Sequence, residues 1–329
     1  MRRAIEHARR GLGRTTPNPI VGACIVSDEG VVLGQGAHEF AGGPHAEINA
    51  LDEAGADARG ATLYCTLEPC SHTGKTGPCT ERIIAAGIRR VVAAMGDPFP
   101  QVNGRGFDAL RSHGITVDVG VERDAAVRLN QPFLTTVREG RPFVILKAAT
   151  SLDGRIAAAP GQRTALTSAA ALRHAQYTRA QVDAIGVGSE TILVDDPLLT
   201  AREVYRERPL TRVIFDRRRR VPSSARIFST LSAGPVLVVT SSELGDGLED
   251  LAVHGIQSLV LEGGAALHAA AWDAGVVDYV QLYVAPVWLG RDGVPLLEGR
   301  DFSSASLVER RVEQLGPDVL IEGYVHRPH

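Results

Sequence analysis

Lysine is almost absent from this chain of 329 residues. Only Lys75 and Lys147 are lysines among 35 basic residues, and the other 33 are arginines. An excess of arginine spread along a whole chain is typical of codon bias in a genome, so it carries little information on chemistry. The two positions that keep a lysine are therefore of interest for function.

A large excess of either charge is also missing. The chain has 38 acidic residues against 35 basic ones, which gives a formal net charge of -3. Proteins that bind nucleic acids usually carry a basic stripe or patch, so this balance argues against a nucleic-acid partner. Hydrophobic residues at 44% and charged residues at 22% are typical of folded globular proteins and exclude a largely disordered chain.

Long apolar runs are absent too. No stretch approaches the ~20 apolar residues of a membrane span, and the N-terminal segment lacks the run of ~7–15 that a signal peptide needs. Cysteine is scarce, and all four cysteines lie in the first 80 residues: Cys24, Cys65, Cys70 and Cys79. Without a secretory signal, metal binding or catalysis is a better explanation for them than a disulfide framework. We therefore expect a cytoplasmic protein with no membrane partner.

Strand-like and helix-like segments alternate along the chain, which predicts an α/β fold. The length suits about two domains of ~100–200 residues each. Residues 123–142 combine mixed polarity with proline and glycine, which is typical of a connecting segment. We predict a first domain at 1–122, a connector at 123–142 and a second domain at 143–329.

Three short motifs in the first domain combine histidine, glutamate and cysteine. His45-Ala46-Glu47 opens a predicted helix, Cys70 follows a predicted strand, and Pro78-Cys79 opens the next helix. One imidazole and two thiolates suit Zn²⁺, and a catalytic zinc site leaves the fourth position to water, whose pKa falls to ~7. We predict His45, Cys70 and Cys79 as zinc ligands and Glu47 as the group that moves protons. His72 is an alternative to His45, but no glutamate accompanies it.

The order H-x-E…P-C…C resembles that of the zinc-dependent nucleobase deaminases, although eight residues separate Cys70 from Cys79 in place of the usual two. The segment at 69–79 resembles a loop of the pyrimidine deaminases of riboflavin biosynthesis, as do the segments at 16–22 and 103–106. This resemblance implies a cytidine-deaminase-like α/β/α domain and substrate contacts by Asn18 and Lys75. Lys75 could instead be a solvated loop residue. Gly77 stands where the family usually has a proline.

In the second domain, a predicted strand at Ser258–Leu261 ends in Glu262-Gly263-Gly264 before a helix. This turn is not the G-x-G-x-x-G fingerprint, which disfavours a standard Rossmann fold. The segments at 147–155, 188–202 and 286–290 resemble the reductase domain of the riboflavin pathway, whose fold is similar to that of dihydrofolate reductase. The resemblance covers almost the whole chain, in the order deaminase then reductase.

The resemblance implies NADPH as the cofactor and assigns positions in the second domain. The cofactor positions are Ala149, Thr191, Asp195, Gly264, Ala265, Ala266, Leu267, His268, Ala269 and Ala270. The substrate positions are Lys147, Arg179, Leu199, Arg202 and Glu262, with the two arginines suited to a phosphate. The chain departs from the family pattern at Arg163, Ala165 and Arg217.

Two features of the second domain allow more than one interpretation. The run Arg217–Arg220 is a solvated turn, a contact of Arg217 with the 2′-phosphate of NADPH, or a nucleic-acid patch. Asp153 either caps its own turn or contacts a ligand. Both lysines fall within segments that carry the resemblance, and an ammonium and a guanidinium are not interchangeable.

The expected function is a pair of steps in riboflavin biosynthesis on pyrimidine ribosyl phosphates. The first is zinc-dependent hydrolytic deamination of 2,5-diamino-6-(5-phosphoribosylamino)pyrimidin-4(3H)-one. The second is NADPH reduction of the ribosyl group of 5-amino-6-(5-phosphoribosylamino)uracil to ribityl. The resemblance also implies a homodimer or homotetramer. The alternative is a zinc deaminase of nucleic acids or nucleosides with an inactive or binding-only second domain.

Overall fold

The computed structural model describes residues 1–71, 77–99, 103–300 and 302–328. The chain divides into two compact units, Met1–Glu139 and Gly140–Pro328. Each unit contains its own β-sheet with helices, so the α/β prediction is confirmed for both. No helix within the described ranges is long and apolar enough to cross a membrane.

The first unit contains a five-stranded sheet in the order β2-β1-β3-β4-β5. The β1 strand is antiparallel to both its neighbours, whereas β3, β4 and β5 run parallel. Its strands are β1 (Gly22–Val26), β2 (Val32–Ala37), β3 (Thr62–Cys65), β4 (Arg90–Ala93) and β5 (Thr116–Val119). Its helices are α1 (Arg2–Ala8), α2 (Ala46–Ala54), α3 (Cys79–Ala85), α4 (Arg105–Ser112), α5 (Arg123–Leu129) and α6 (Gln131–Glu139).

Glycine in β2 lets α2 lie directly on the sheet. A Cβ atom at Gly36 would lie 2.1 Å from the carbonyl oxygen of Ala46, in the first turn of α2. Only a residue without a side chain permits this approach. The position of α2, and with it the direction of His45 and Glu47, therefore depends on glycine in the strand beneath.

The segment predicted as a connector folds as part of the first unit. Residues 123–139 form α5 and α6, and Phe133 and Leu134 are buried in the core of that unit. The Asn130 side chain accepts a hydrogen bond from the Ile20 backbone N–H at 2.7 Å and donates to its carbonyl at 2.9 Å. Pro132 lies in the first turn of α6, where a helix tolerates proline. The structure thus ends the first unit at Glu139 and not at residue 122.

The second unit contains an eight-stranded sheet in the order β10-β9-β8-β11-β6-β12-β15-β14, and β7 and β13 form a small separate pair. Its strands are β6 (Phe143–Thr150), β7 (Arg155–Ala157), β8 (Ala184–Gly188), β9 (Thr211–Phe215), β10 (Val236–Val239), β11 (Ser258–Leu261), β12 (Tyr279–Val284), β13 (Val294–Pro295), β14 (Val308–Leu315) and β15 (Asp318–Tyr324). Its helices are α7 (Ala169–Gln181), α8 (Ser189–Asp195), α9 (Arg226–Ser229), α10 (Leu244–Val253) and α11 (Ala265–Asp273).

Six neighbouring strands of this sheet, from β10 to β12, run parallel, while β15 and β14 add antiparallel. The carboxyl ends of parallel strands meet at one edge of a sheet, which is where open α/β sheets bind ligands. Gly188, Glu262 and Thr150 lie at or just after three of these ends. This edge therefore collects the segments predicted for the reductase site.

Candidate active sites

In the first unit, the structure brings together the three predicted zinc ligands. The Nδ1 atom of His45 lies 3.1 Å from Sγ of Cys79 and 3.5 Å from Sγ of Cys70. One ligand atom from each residue lies within 4.8 Å of the others. His45 immediately precedes α2, and Cys79 is the first residue of α3.

The donor set fits zinc in chemistry and spacing. In a tetrahedral site with Zn–S of about 2.3 Å and Zn–N of about 2.0 Å, neighbouring ligand atoms lie roughly 3.5–3.8 Å apart. A hydrogen bond from the Cys79 thiol, supported by His45 and by the Cys79 backbone N–H, lowers the pKa of Cys70 well below that of an ordinary thiol. The same contact and burial raise the pKa of Cys79. The thiolate form of Cys70 is thus favoured. The Cys79 thiol carries the proton that a bound cation would displace.

Glu47 lies in the first turn of α2, beside the ligand cluster. Its side chain is buried, and burial raises its pKa to about 7. A carboxyl group with a pKa near neutrality can both accept and release a proton at working pH. This property suits the proton-transfer role predicted for Glu47.

A cavity of about 420 Å³ opens onto these residues. Its lining includes His45, Glu47 and Cys70, together with Asn18 and His38. The Nδ1 atom of His38 lies 3.0 Å from the Pro44 carbonyl, and its Nε2 atom lies 3.0 Å from Nδ2 of Asn18. Because the His38 ring donates to the Pro44 carbonyl through Nδ1, its Nε2 atom accepts from the Asn18 side-chain amide. The side-chain oxygen of Asn18 is then left for other partners. Asn18, predicted as a substrate contact, thus lines this cavity, whereas Lys75 and the alternative ligand His72 lie outside the described residues.

Sequence analysis missed Glu68 as a residue of the site. Its carboxylate is buried and accepts hydrogen bonds from four backbone N–H groups, those of Asp97, Gly104, Gly106 and Phe107, at 3.2, 3.0, 2.9 and 3.4 Å. These partners lie 29 to 39 residues further along the chain. The only signal in the sequence was that Glu68 directly precedes the segment at 69–79, which carries the family resemblance together with the segment at 103–106.

In the second unit, three predicted substrate residues form one largely buried cluster, with side chains 15% (Lys147), 15% (Arg179) and 7% (Glu262) exposed. Arg179 donates to both oxygens of Glu262, each at 2.7 Å, and Nζ of Lys147 lies 3.4 Å from Oε2 of the same carboxylate. The two cations lower the pKa of Glu262 to about 2 against the effect of its burial. Lys147 also lies 5.5 Å from the ring centroid of Tyr283.

The arrangement around Arg179 differs from the one that we predicted. Two arginines were expected to face a phosphate, but the guanidinium of Arg179 is directed at Glu262 and at the Thr200 carbonyl, the latter at 2.7 Å. Arg202 is exposed and is held near α7 through its backbone N–H, which donates to Gln176 at 2.7 Å. Leu199, the remaining predicted substrate residue of this segment, is buried. Its backbone adopts the left-handed conformation, with φ of 52°.

The predicted cofactor segments meet at the carboxyl edge of the sheet. A Cβ atom at Gly263 would lie 2.9 Å from Oγ1 of Thr191, and one at Gly264 would lie 3.6 Å from it. Gly264 has a φ of 84°, which favours glycine. The turn before α11 therefore packs against α8, which contributes Thr191 and Asp195.

The remaining cofactor positions have different surroundings. Ala149 is half-buried in β6. Within α11, Ala266 and Ala270 are exposed, Leu267 is half-buried, and Ala265, His268 and Ala269 are buried. Burial lowers the pKa of His268 to about 4, so its ring is neutral at physiological pH.

The three positions that depart from the family pattern are all exposed. Arg163 and Ala165 lie in the loop before α7, and Arg217 follows β9. Within the arginine run, Arg220 donates to Glu190 at 2.9 Å and to the Ser189 hydroxyl at 2.8 Å. The Asp153 carboxylate accepts hydrogen bonds from the Ser151 hydroxyl in its own turn and from the backbone N–H groups of Leu289 and Gly290, which lie far along the chain.

Comparisons with known proteins match a different domain family to each unit. Residues 1–95 match the sequence model of the cytidine and deoxycytidylate deaminase zinc-binding region, and residues 142–321 match that of the RibD C-terminal domain. The first unit is thus a zinc-binding deaminase domain and the second a reductase domain.

Full-length relatives identify the combination of the two domains. The riboflavin biosynthesis protein RibD of Escherichia coli is 39% identical over 98% of this chain and 97% of its own, and that of Aquifex aeolicus is 38% identical over 98% and 96%. The structure of Acinetobacter baumannii RibD superposes with a TM-score of 0.87 at 36% identity, covering 98% of this chain and 96% of that one. A Thermotoga maritima diaminohydroxyphosphoribosylaminopyrimidine deaminase/5-amino-6-(5-phosphoribosylamino)uracil reductase gives the same TM-score at 35% identity, with coverage of 98% and 96%. This chain belongs to the RibD family.

Proposed function

We propose that this chain catalyses two steps of riboflavin biosynthesis on small pyrimidine ribosyl phosphates. The first unit deaminates 2,5-diamino-6-(5-phosphoribosylamino)pyrimidin-4(3H)-one by hydrolysis. The second unit reduces the ribosyl group of 5-amino-6-(5-phosphoribosylamino)uracil to ribityl with NADPH. The observation that carries the proposal is the meeting of the His45, Cys70 and Cys79 donor atoms beside buried Glu47 at one cavity.

In the deamination, His45, Cys70 and Cys79 would hold zinc. Bound there, zinc supplies a water that ionises near neutral pH. Glu47 accepts a proton from that water and delivers it to the amino group that leaves as ammonia. Asn18, which also lines the cavity, orients the pyrimidine through the amide oxygen that its contact with His38 leaves available. We keep Lys75 as a second substrate contact.

In the reduction, NADPH held by the second unit would supply a hydride to C1′ of the ring-opened imine, whose nitrogen would gain a proton. The residues proposed to hold the nicotinamide nucleotide are those of the turn and helix at Gly264–Ala270, with Ala149, Thr191 and Asp195. Glu262 and Lys147 present a fixed pair of opposite charges to the substrate, and Arg179 orients Glu262 through two hydrogen bonds. Arg202 is exposed and is our choice for the phosphate, with Leu199 shaping the same segment.

The proposal also covers assembly and compartment. None of the four cysteines, all of which the structure describes, takes part in a disulfide, as expected in a reducing compartment, and this supports a cytoplasmic enzyme. A homodimer or homotetramer follows from the family resemblance, and sedimentation of the purified chain tests it.

The experiment supplies the diaminopyrimidine substrate to the zinc-loaded protein with and without NADPH. We expect ammonia release in both reactions, and nicotinamide oxidation with the ribityl product only when NADPH is present. Deamination without nicotinamide oxidation would contradict the bifunctional proposal and favour a deaminase whose second unit only binds. Retained zinc without any release of ammonia would contradict the first step.

A further inference from the structure

Glu68 lies in the short segment between β3 and the zinc-ligand candidate Cys70. Glu68 is only 3% exposed, and it lines the deaminase cavity. A buried carboxylate is unfavourable unless several hydrogen bonds stabilise its charge. The hydrogen bonds described for Glu68 all come from the backbone of one later part of the chain, residues 97–107.

The two carboxylate oxygens divide their partners between two sets of N–H groups. Oε2 accepts from Asp97 and Gly104, and Oε1 accepts from Gly106 and Phe107. Gly106 and Phe107 belong to the first turn of α4, whose N–H groups have no partner within the helix. Glu68 therefore satisfies the N-terminus of α4 in the way that a bound anion would.

The same contact sets the distance between the two chain segments. A Cβ atom at Gly106 would lie 2.0 Å from the carbonyl oxygen of Pro69, the residue after Glu68. The backbone at the beginning of α4 therefore lies in direct contact with the segment that leads to Cys70. Asp97, at the other end of the set of partners, lines the cavity directly, and so does Phe99, whose backbone N–H donates to the Asp97 carboxylate at 2.8 Å.

We propose that Glu68 is a positioning residue of the deaminase, which holds residues 97–99, where Asp97 and Phe99 line the substrate cavity, as a fixed wall by tying them to the beginning of α4 at residues 103–107. It acts through the backbone of these residues and not through the metal or the proton transfer. This inference rests on the proposed deaminase function. It also implies that the N-terminus of α4 is occupied by Glu68, so that side chains elsewhere bind the substrate phosphate.

The test compares Glu68→Gln with wild-type full-length protein. The amide keeps the size of the side chain but replaces one acceptor oxygen with a donor, which faces backbone N–H groups. Glu53→Gln is the matched control, because Glu53 accepts a backbone N–H from Gln35 at 2.9 Å on the exposed side of the same unit. For each protein we measure the zinc content and the KM and kcat for deamination. We also measure the hydrogen-exchange rates of the four backbone amides that donate to Glu68.

We expect Glu68→Gln to keep its zinc and its NADPH-dependent reduction of the uracil substrate. Its KM for deamination rises about tenfold while kcat changes less, because binding to the displaced wall is what weakens. The amides of Asp97, Gly104, Gly106 and Phe107 exchange faster than in the wild-type protein. Glu53→Gln shows none of these changes.

Three results would overturn the inference. Faster exchange with an unchanged KM would make Glu68 a residue of local stability only. Loss of zinc would show that it acts through the ligands, and an unchanged exchange pattern would show that it does not hold the wall. If the wild-type protein released no ammonia, the proposed function would fail, and the exchange rates alone would still decide whether Glu68 holds this segment.

Discussion

The two candidate sites are built in opposite ways. In the first unit, the donor atoms of His45, Cys70 and Cys79 converge beside an open cavity. In the second unit, the charges of Lys147, Arg179 and Glu262 neutralise one another in a buried cluster. The first site is incomplete without a cation, whereas the second is complete as a charge network. We therefore expect the first to respond mainly to metal and the second mainly to the loss of a charge.

Removal of zinc gives the largest expected difference between the two sites. Chelation, or Cys79→Ala, should reduce deamination at least as much as loss of a general base does, by about 10²–10⁴-fold, because no activated water remains. Reduction of the uracil substrate should persist. Ammonia release and nicotinamide absorbance, measured on the same preparation, check this. A parallel loss of both activities would mean that the two sites do not function separately.

Loss of the Glu262 carboxylate should affect the second site alone. Glu262→Ala leaves Lys147 and Arg179 buried without their anion, and breaking such a buried pair destabilises by about 3–5 kcal/mol. We expect a lower unfolding midpoint for the second unit and a loss of reduction, with deamination retained. Glu190→Ala is the control, because the exposed pair of Glu190 with Arg220 should contribute no more than about 1 kcal/mol. Equal effects of the two changes would contradict the buried network.

The pH dependence of stability gives a smaller effect at the same cluster. The pKa of Glu262 is about 2 in the folded chain, below its ordinary value of 4.5. A lowered pKa stabilises the fold above the unfolded value, so this contribution is complete above about pH 4.5 and is lost as the pH falls toward 2. The lowering corresponds to about 3 kcal/mol. Denaturant unfolding of the second unit at several pH values should show this slope in the wild-type protein and a weaker slope in Glu262→Gln.

Much of the first site could be predicted because its chemistry lies in short motifs. His45 and Glu47 are two residues apart. The two predicted ligand cysteines, Cys70 and Cys79, each follow a proline at the beginning or end of a predicted element. Glu68 belongs to such a motif, but its role depends on N–H groups 29 to 39 residues away. Backbone hydrogen bonds over this separation leave no pattern in composition or periodicity.

The second unit was harder to predict for the same reason. The pairing of Glu262 with Arg179 joins residues 83 apart, and resemblance identified both without indicating that they bind each other.

The helices α5 and α6 of the first unit were missed because their polar faces and Pro132 are typical of a linker, whereas burial of Phe133 and Leu134 decides their structure. The β14 strand was missed because it is an exposed strand at the edge of the sheet, with charged residues on both faces.

The central claim is that one chain deaminates first and reduces second, at separate sites. The most direct measurement is nicotinamide oxidation by Glu47→Gln supplied in turn with the diaminopyrimidine and the uracil substrate. We predict oxidation at the wild-type rate with the uracil substrate and almost none with the diaminopyrimidine, while zinc stays bound. Equal oxidation with both substrates would contradict the order of the steps, and loss of oxidation with both would contradict the separation of the sites.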